Sequence, residues 1–97
     1  MTRSLSWLIY QRINALLDAG WCSGHFALDD SGKPVPVLSD RARRFCAVGA
    51  LERAQAELGV APIKLTARSK ERWMARNDQQ GKEAVQRLIR ARMARVA

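Results

Sequence analysis

FCAVGAL, Phe45 to Leu51, is a run of seven uncharged residues set between a helix start and a helix stop. Ser39 or Asp40 can cap an N-terminus, and Gly59 after Leu58 can close a C-terminus. At helical periodicity Ala42, Phe45, Cys46, Gly49 and Ala56 share one face, while Ala47, Leu51, Ala54 and Leu58 lie nearly opposite. A helix that is apolar on most sides is a buried one. The stretch therefore predicts the central post of a small domain, with Gly49 as a place where another backbone can approach closely.

Toward the N-terminus, Ser4 can cap a helix whose apolar positions Leu5, Leu8, Ile9, Ile13, Leu16 and Leu17 keep helical spacing until Gly20. Trp7 and Tyr10 sit at the margin of that stripe, and Arg3 and Arg12 on its solvated side. The segment that follows, GWCSGHFALDDSGKPVPV, holds the turn-forming run Asp29, Asp30, Ser31, Gly32. It reads as a short hairpin with arms His25 to Leu28 and Lys33 to Val37; Pro34 and Pro36 cannot donate ladder hydrogen bonds and belong on an edge. Past Gly59, residues 60–65 read as a connection. Thr66 or Ser69 opens a helix through Arg76, with Leu65, Trp73 and Met74 inward and Arg68, Lys70, Arg72 and Arg76 outward. Asn77 and Asp78 interrupt it, and Asp78 caps a last helix from about Gln80 to Val96. That last helix carries a stripe of Val85, Leu88, Ile89, Met93 and Val96, with Arg87 and Arg90 opposite. Arg92 falls inside the stripe, so either the helix protrudes there and its end is free, or Arg92 snorkels past a partner's surface. The expected fold is mainly α, with about four helices around a central buried helix and one short β-hairpin between the first two. Residues 1–97 form one domain, of which 66–97 are the basic C-terminal helical part.

At 97 residues the chain buries roughly two thirds of its unfolded surface, enough for one core without a metal or disulfide staple. No apolar run is long enough for a transmembrane helix. Cys22 and Cys46 make no disulfide framework, and with no signal peptide ahead of them a reduced, cytoplasmic setting is expected. Cys22 and His25 are the candidates for site chemistry, with Cys46 brought near only if the fold does so. A structural zinc wants four ligands, and two cysteines and one histidine would need a carboxylate such as Asp29 to complete the set. A Cys and His hydrolase would need a group to orient the imidazole and an oxyanion site, and neither is evident. Two buried thiols and a histidine at a strand start account for these residues, so no metal, cofactor or catalytic group is assigned.

The succession GWCSGHFALDDSGKPV, RARRFCAVGALERAQAELG and RNDQQGKEAVQRLIRAR resembles an uncharacterised domain family of small bacterial, mainly actinobacterial, and phage-borne proteins. The resemblance covers about residues 15–92 and rests on the order and spacing of the Gly-aromatic-Cys start, the acidic turn, the Cys and Gly-Ala-Leu core and the Asn-Asp turn. In that family a Trp commonly precedes the Asn and Asp; here Arg76 does, with Trp73 three residues earlier. The resemblance implies this architecture and a mobile-element origin, and it carries no activity.

The net charge is +8, and it is unevenly spread. From Arg68 onward nine basic residues face Glu71, Asp78 and Glu83, a local +6, so the first 67 residues carry only +2. Such asymmetry points to polyanionic partners. The residues expected to meet them are Arg68, Lys70, Arg72, Arg76, Arg87, Arg90 and Arg95. A secondary cluster, Arg41, Arg43 and Arg44, crowds the predicted first turn of the central helix, where the dipole disfavours cations; pairing with Asp40, Glu52 or the hairpin's acidic turn explains it structurally, and contact with a phosphate or acidic partner explains it functionally. Arg53 and Glu57 read as a solvated i,i+4 pair. No zinc finger, RNA-binding signature or helix-turn-helix glycine is present. The expected function is thus a non-enzymatic binding module that contacts nucleic acid, with low sequence specificity, or a nucleoprotein through the C-terminal helices. The alternative is an interaction factor or inhibitor that engages a host protein through an acidic or nucleic-acid-like surface.

Overall fold

The computed structural model describes residues 3–97. Four helices and a two-stranded antiparallel hairpin follow in the order α1 (Leu5–Ala19), β1 (Ala27–Leu28), β2 (Arg44–Phe45), α2 (Ala47–Leu58), α3 (Ala67–Gln80) and α4 (Lys82–Val96). Ser4 caps α1 by accepting from the Trp7 N–H, and Gly20 ends it. The Ser4 hydroxyl also donates to the Val96 carbonyl, so the first turn of α1 meets the last turn of α4. Ile9, Ile13 and Leu17 are fully buried, and Tyr10, expected at the margin, is buried with them. α1 packs chiefly on α4 and α2, and α3 on α4.

α2 is the central buried helix. Every residue from Cys46 to Leu51 is buried, and Ala54 continues the contact one turn on. Gly49 does what its place predicts: a Cβ there would overlap the carbonyl oxygen of Phe26, so the chain entering β1 lies directly on the helix backbone. Gly59, at φ 70°, closes the helix in the left-handed conformation that glycine adopts without strain.

Two boundaries differ from the sequence reading. The helix starts at Ala47, not after Ser39 or Asp40, because the chain before it is drawn into the sheet. Arg44–Phe45 pairs with Ala27–Leu28, and the N–H groups of Arg43 and Cys46 donate to the carbonyls of Leu28 and Phe26. Ser39 instead accepts from the Arg41 N–H in a local turn. Arg41, Arg43 and Arg44 consequently lie ahead of the helix and do not crowd its first turn. The hairpin's second arm is Arg44–Phe45 rather than Lys33 to Val37. The latter segment pairs with β1 through the Leu28–Pro34 bridge and a Val35 to Ala27 hydrogen bond, and its prolines cannot continue a ladder. Asp29 still organises the expected turn, its carboxylate accepting from the Ser31 and Lys33 N–H groups, which hold it below the usual carboxylate range, the Lys33 bond contributing most.

Of the two candidate starts it is Thr66 that opens α3, the hydroxyl accepting from the Ser69 N–H. It does not stop at Asn77 and Asp78, and Asp78 caps nothing: the helix runs on to Gln80, and the break falls at Gly81, φ 89°. The reason is where the Asn77 side chain goes. It is fully buried and spends its amide on distant groups instead of competing for its own backbone.

Candidate functional site

Asn77 sets the position of α3. Its Oδ1 accepts from the Trp21 indole N–H and the Ala47 backbone N–H, both at 2.9 Å, and its Nδ2 donates to the Cys22 carbonyl and to Asp78 Oδ1, both at 3.0 Å. Asp78 Oδ1 in turn accepts from the Gly24 N–H. The Ala47 N–H is one of the donors that the first turn of α2 cannot satisfy internally. Asn77 therefore caps α2 from another helix, beside Cys46, whose sulfur accepts from the Gly49 N–H.

With α3 pinned on that side, its other flank opens toward α4. A single residue, Gly81, joins the two helices, so they diverge from a tight vertex. Arg72, Trp73, Arg76 and Gln80 from α3 and Leu88 and Arg92 from α4 line a cleft of about 340 Å³ between them. Arg72 and Arg76 are one helical turn apart, as are Leu88 and Arg92, so each helix presents a matched flank. The Arg92 guanidinium lies over the Trp73 ring, 5.5 Å from its centroid. Arg92 Nε and Trp73 Nε1 are both buried and without a hydrogen-bond partner among the described residues. A buried donor left unpaired costs about 1–3 kcal/mol, so two beside one cleft call for an acceptor.

The remaining arginines are distributed around this cleft unequally. Arg68 is a turn before Arg72 on exposed α3 surface, and Arg95 continues the Leu88 and Arg92 flank of α4. Lys70 is on the other side of α3, beside Ile63 and Leu65. Arg87 and Arg90 are exposed on the side of α4 away from Val85 and Ile89. Both ion pairs among the described residues belong to Glu57, which holds Arg12 at 2.6 Å and Arg53 at 3.1 Å; neither involves α3 or α4. Arg41 and Arg43 share a shallow depression with Asp29 and Asp30, and the Arg43 guanidinium donates to the Asp40 and Ala42 carbonyls.

The Cys22 thiol donates to the His25 backbone carbonyl, at 3.4 Å, and not to its imidazole. Cys46 lies against the Met74 sulfur at 3.7 Å. Burial, then the neighbouring Cys46 and Asp78, push the Cys22 thiol up to about 11, with Arg44 opposing only weakly. Burial also raises Cys46. Both are protonated at neutral pH, which removes their nucleophilicity. Among the described residues no three His, Cys, Asp or Glu side chains cluster as metal ligands, and no helix is long and apolar enough to cross a membrane.

The profile of a family of unknown function, DUF6197, matches residues 8–96. The chain belongs to that family. The match takes in all but the first turn of α1, the hairpin and the three later helices, so the cleft lies wholly within the DUF6197 region. No curated protein and no solved structure matches the chain. An uncharacterised family is also what the sequence resembles. Three residues of this DUF6197 domain lie outside the site that the sequence indicates: Trp73 reads there as an inward packing residue, Arg92 as a charge within an apolar stripe, and Asn77 as a helix break.

Proposed function

We propose that the protein is a small non-enzymatic binding module that contacts nucleic acid through the arginines of α3 and α4. The observation that carries this reading is the absence, among the described residues, of any ion pair for Arg68, Arg72, Arg76, Arg87, Arg90 and Arg95. Exposed guanidinium groups with no internal counter-charge keep their full attraction for phosphates, and binding releases the counterions condensed on the strand. The partner is read by charge with low sequence specificity, because α3 and α4 offer no exposed aromatic for stacking on bases: Trp73 is buried, Trp21 is bonded to Asn77, Trp7 lies under Arg3 at 4.4 Å, and the exposed Phe26 belongs to the hairpin segment. A cytoplasmic role in phage or mobile-element biology in bacteria, chiefly actinobacteria, fits the sequence resemblance and belongs to the same proposal.

Fluorescence anisotropy against labelled single- and double-stranded DNA and RNA, from 50 to 300 mM salt, tests it. If about five basic residues engage phosphates, log affinity falls against log salt with a slope of roughly −4 to −5 on B-DNA. Arg87→Ala with Arg90→Ala lowers both affinity and slope. No binding at 50 mM salt refutes nucleic acid as the partner and turns the search to an acidic protein surface, such as that of a host enzyme the protein would block.

A further inference from the structure

We propose that the α3–α4 cleft is a phosphate-binding site, in which Arg72, Arg76, Arg92 and the Trp73 indole N–H close on one phosphate group of a nucleotide. The inference deepens the nucleic-acid reading, on which it rests only for the source of the phosphate. Its basis is the pair of buried donors without acceptors. Trp73 is 2% exposed and its Nε1 has no partner among the described residues; the same holds for Nε of Arg92. Both residues line one cleft, with two more guanidinium groups from Arg72 and Arg76. The Trp73 ring beneath Arg92 favours that side chain's place through a cation–π contact.

The chemistry favours phosphate over carboxylate. Glu71 and Asp78 on α3 and Glu83 on α4 take no part in the lining, so the charge of the three arginines is not neutralised within the cleft. A phosphomonoester brings three acceptor oxygens and nearly two negative charges, whereas a carboxylate brings two oxygens and one charge. Guanidinium forks suit such oxygens because two parallel N–H donors match two of them at once. Size fits as well. About 340 Å³ is the lower end of the range for small-molecule clefts, room for a phosphate with part of its sugar and far too small for a duplex.

The test follows the Trp73 indole resonance in ¹⁵N-labelled protein, assigned with Trp7→Phe and through-space contacts to Arg92. Inorganic phosphate and adenosine 5′-monophosphate are expected to shift it saturably, and adenosine and succinate to leave it in place. Arg92→Lys keeps the charge but loses Nε–H and the fork. It is expected to weaken adenosine monophosphate binding about tenfold, with the remaining amide resonances unmoved as proof of folding. Oligothymidylates with a 5′-phosphate or a 5′-hydroxyl separate the sources. Preference for the phosphorylated strand is the expected result, because only a strand end carries a phosphomonoester; equal binding overturns the choice of a monoester, since a backbone diester offers no more free oxygens or charge than a carboxylate. A Trp73 resonance indifferent to phosphate overturns the site, even where oligonucleotides still bind with a steep salt slope. An equal shift with succinate overturns the choice of phosphate. Adenosine monophosphate binding without oligonucleotide binding retains the site and removes nucleic acid as the source.

Discussion

Asn77→Ala tests whether one buried amide holds the helices in register. The side chain is fully buried and makes four hydrogen bonds, three of which join α3 to the N-terminus of α2 and to the chain before the hairpin. Truncation strands two interior groups, the Ala47 N–H and the Cys22 carbonyl, at about 1–3 kcal/mol each. The Trp21 indole N–H is only part-buried, so it can turn to water more cheaply. Taking the middle of the range for the two interior groups gives a loss of about 4 kcal/mol. Domains of this size are stable by about 5–15 kcal/mol in all, so the variant sits close to unfolding. Urea denaturation followed by tryptophan fluorescence measures it, with the thermal midpoint expected to drop by more than about 15 °C. Asn77→Asp adds a signed check. It keeps the acceptor for Ala47 and Trp21 but sets an oxygen against the Cys22 carbonyl and the Asp78 carboxylate. Burial raises such a carboxyl above its unfolded value of about 3.9. The protonated form can donate to Cys22, so the variant's deficit relative to wild type grows as pH rises from 4 to 7. A loss under about 1 kcal/mol for Asn77→Ala, or a deficit in Asn77→Asp that shrinks toward neutral pH, refutes the role assigned to this residue.

Gly49→Ala is expected to destabilise by at least about 2 kcal/mol, because the new Cβ overlaps the Phe26 carbonyl, which the Cys46 N–H holds in place; a raised melting temperature, the usual result of Gly→Ala within a helix, contradicts the close approach. Burial alone would raise the Glu57 pKa, but the hydrogen bonds from Arg12 and Arg53 outweigh it and the carboxyl lies below its usual value. The unfolded chain therefore binds more protons, and the stability from this group is complete above about pH 4.3 and lost as pH falls through the folded value. Urea midpoints from pH 3 to 7 should show a shallower acid limb in Glu57→Gln, and parallel curves would deny Glu57 that role. Neither Cys22 nor Cys46 should react with iodoacetamide in the native protein at pH 8, whereas both should in urea; rapid native labelling followed by mass spectrometry would show an accessible thiolate and contradict the burial.

How far the fold could be read depended on whether the deciding chemistry was local. Ser4, Gly20, Gly59 and Thr66 act within a turn of their own position, and each ends or starts its helix where the sequence places it. The start of α2 is different. Its cap is completed by Asn77, 30 residues further along, and the chain before it is claimed by a two-residue strand too short to show any periodicity. With those partners unseen, Ser39 and Asp40 are the better local caps, and the arginines after them look misplaced at a helix terminus. The same blindness applies to Asn77, which reads as a break because an exposed Asn competes with its own backbone; only burial redirects it.

The cleft was legible in part, as an excess of charge without a direction. Composition put nine basic residues in the last third of the chain, and helical spacing turned most of them outward, but spacing within one helix cannot say which flanks face each other across two. Gly81 decides that. It joins α3 to α4 through a single residue at φ 89°, a conformation open to glycine at little cost, so Arg72 and Arg76 come to face the flank that bears Leu88 and Arg92. A charge within an apolar stripe demanded a surface to cover its stem. Spacing offered a free helix end or a second molecule; the fold supplies Trp73 of the same chain. That contact places the unsatisfied donors of Trp73 and Arg92 beside the guanidinium groups of Arg72 and Arg76. Altering the vertex should therefore change the cleft without touching its lining: Gly81→Ala strains the left-handed turn although its Cβ meets no atom, and a loss of phosphate response at Trp73 with Arg92 intact would trace the site's geometry to the turn.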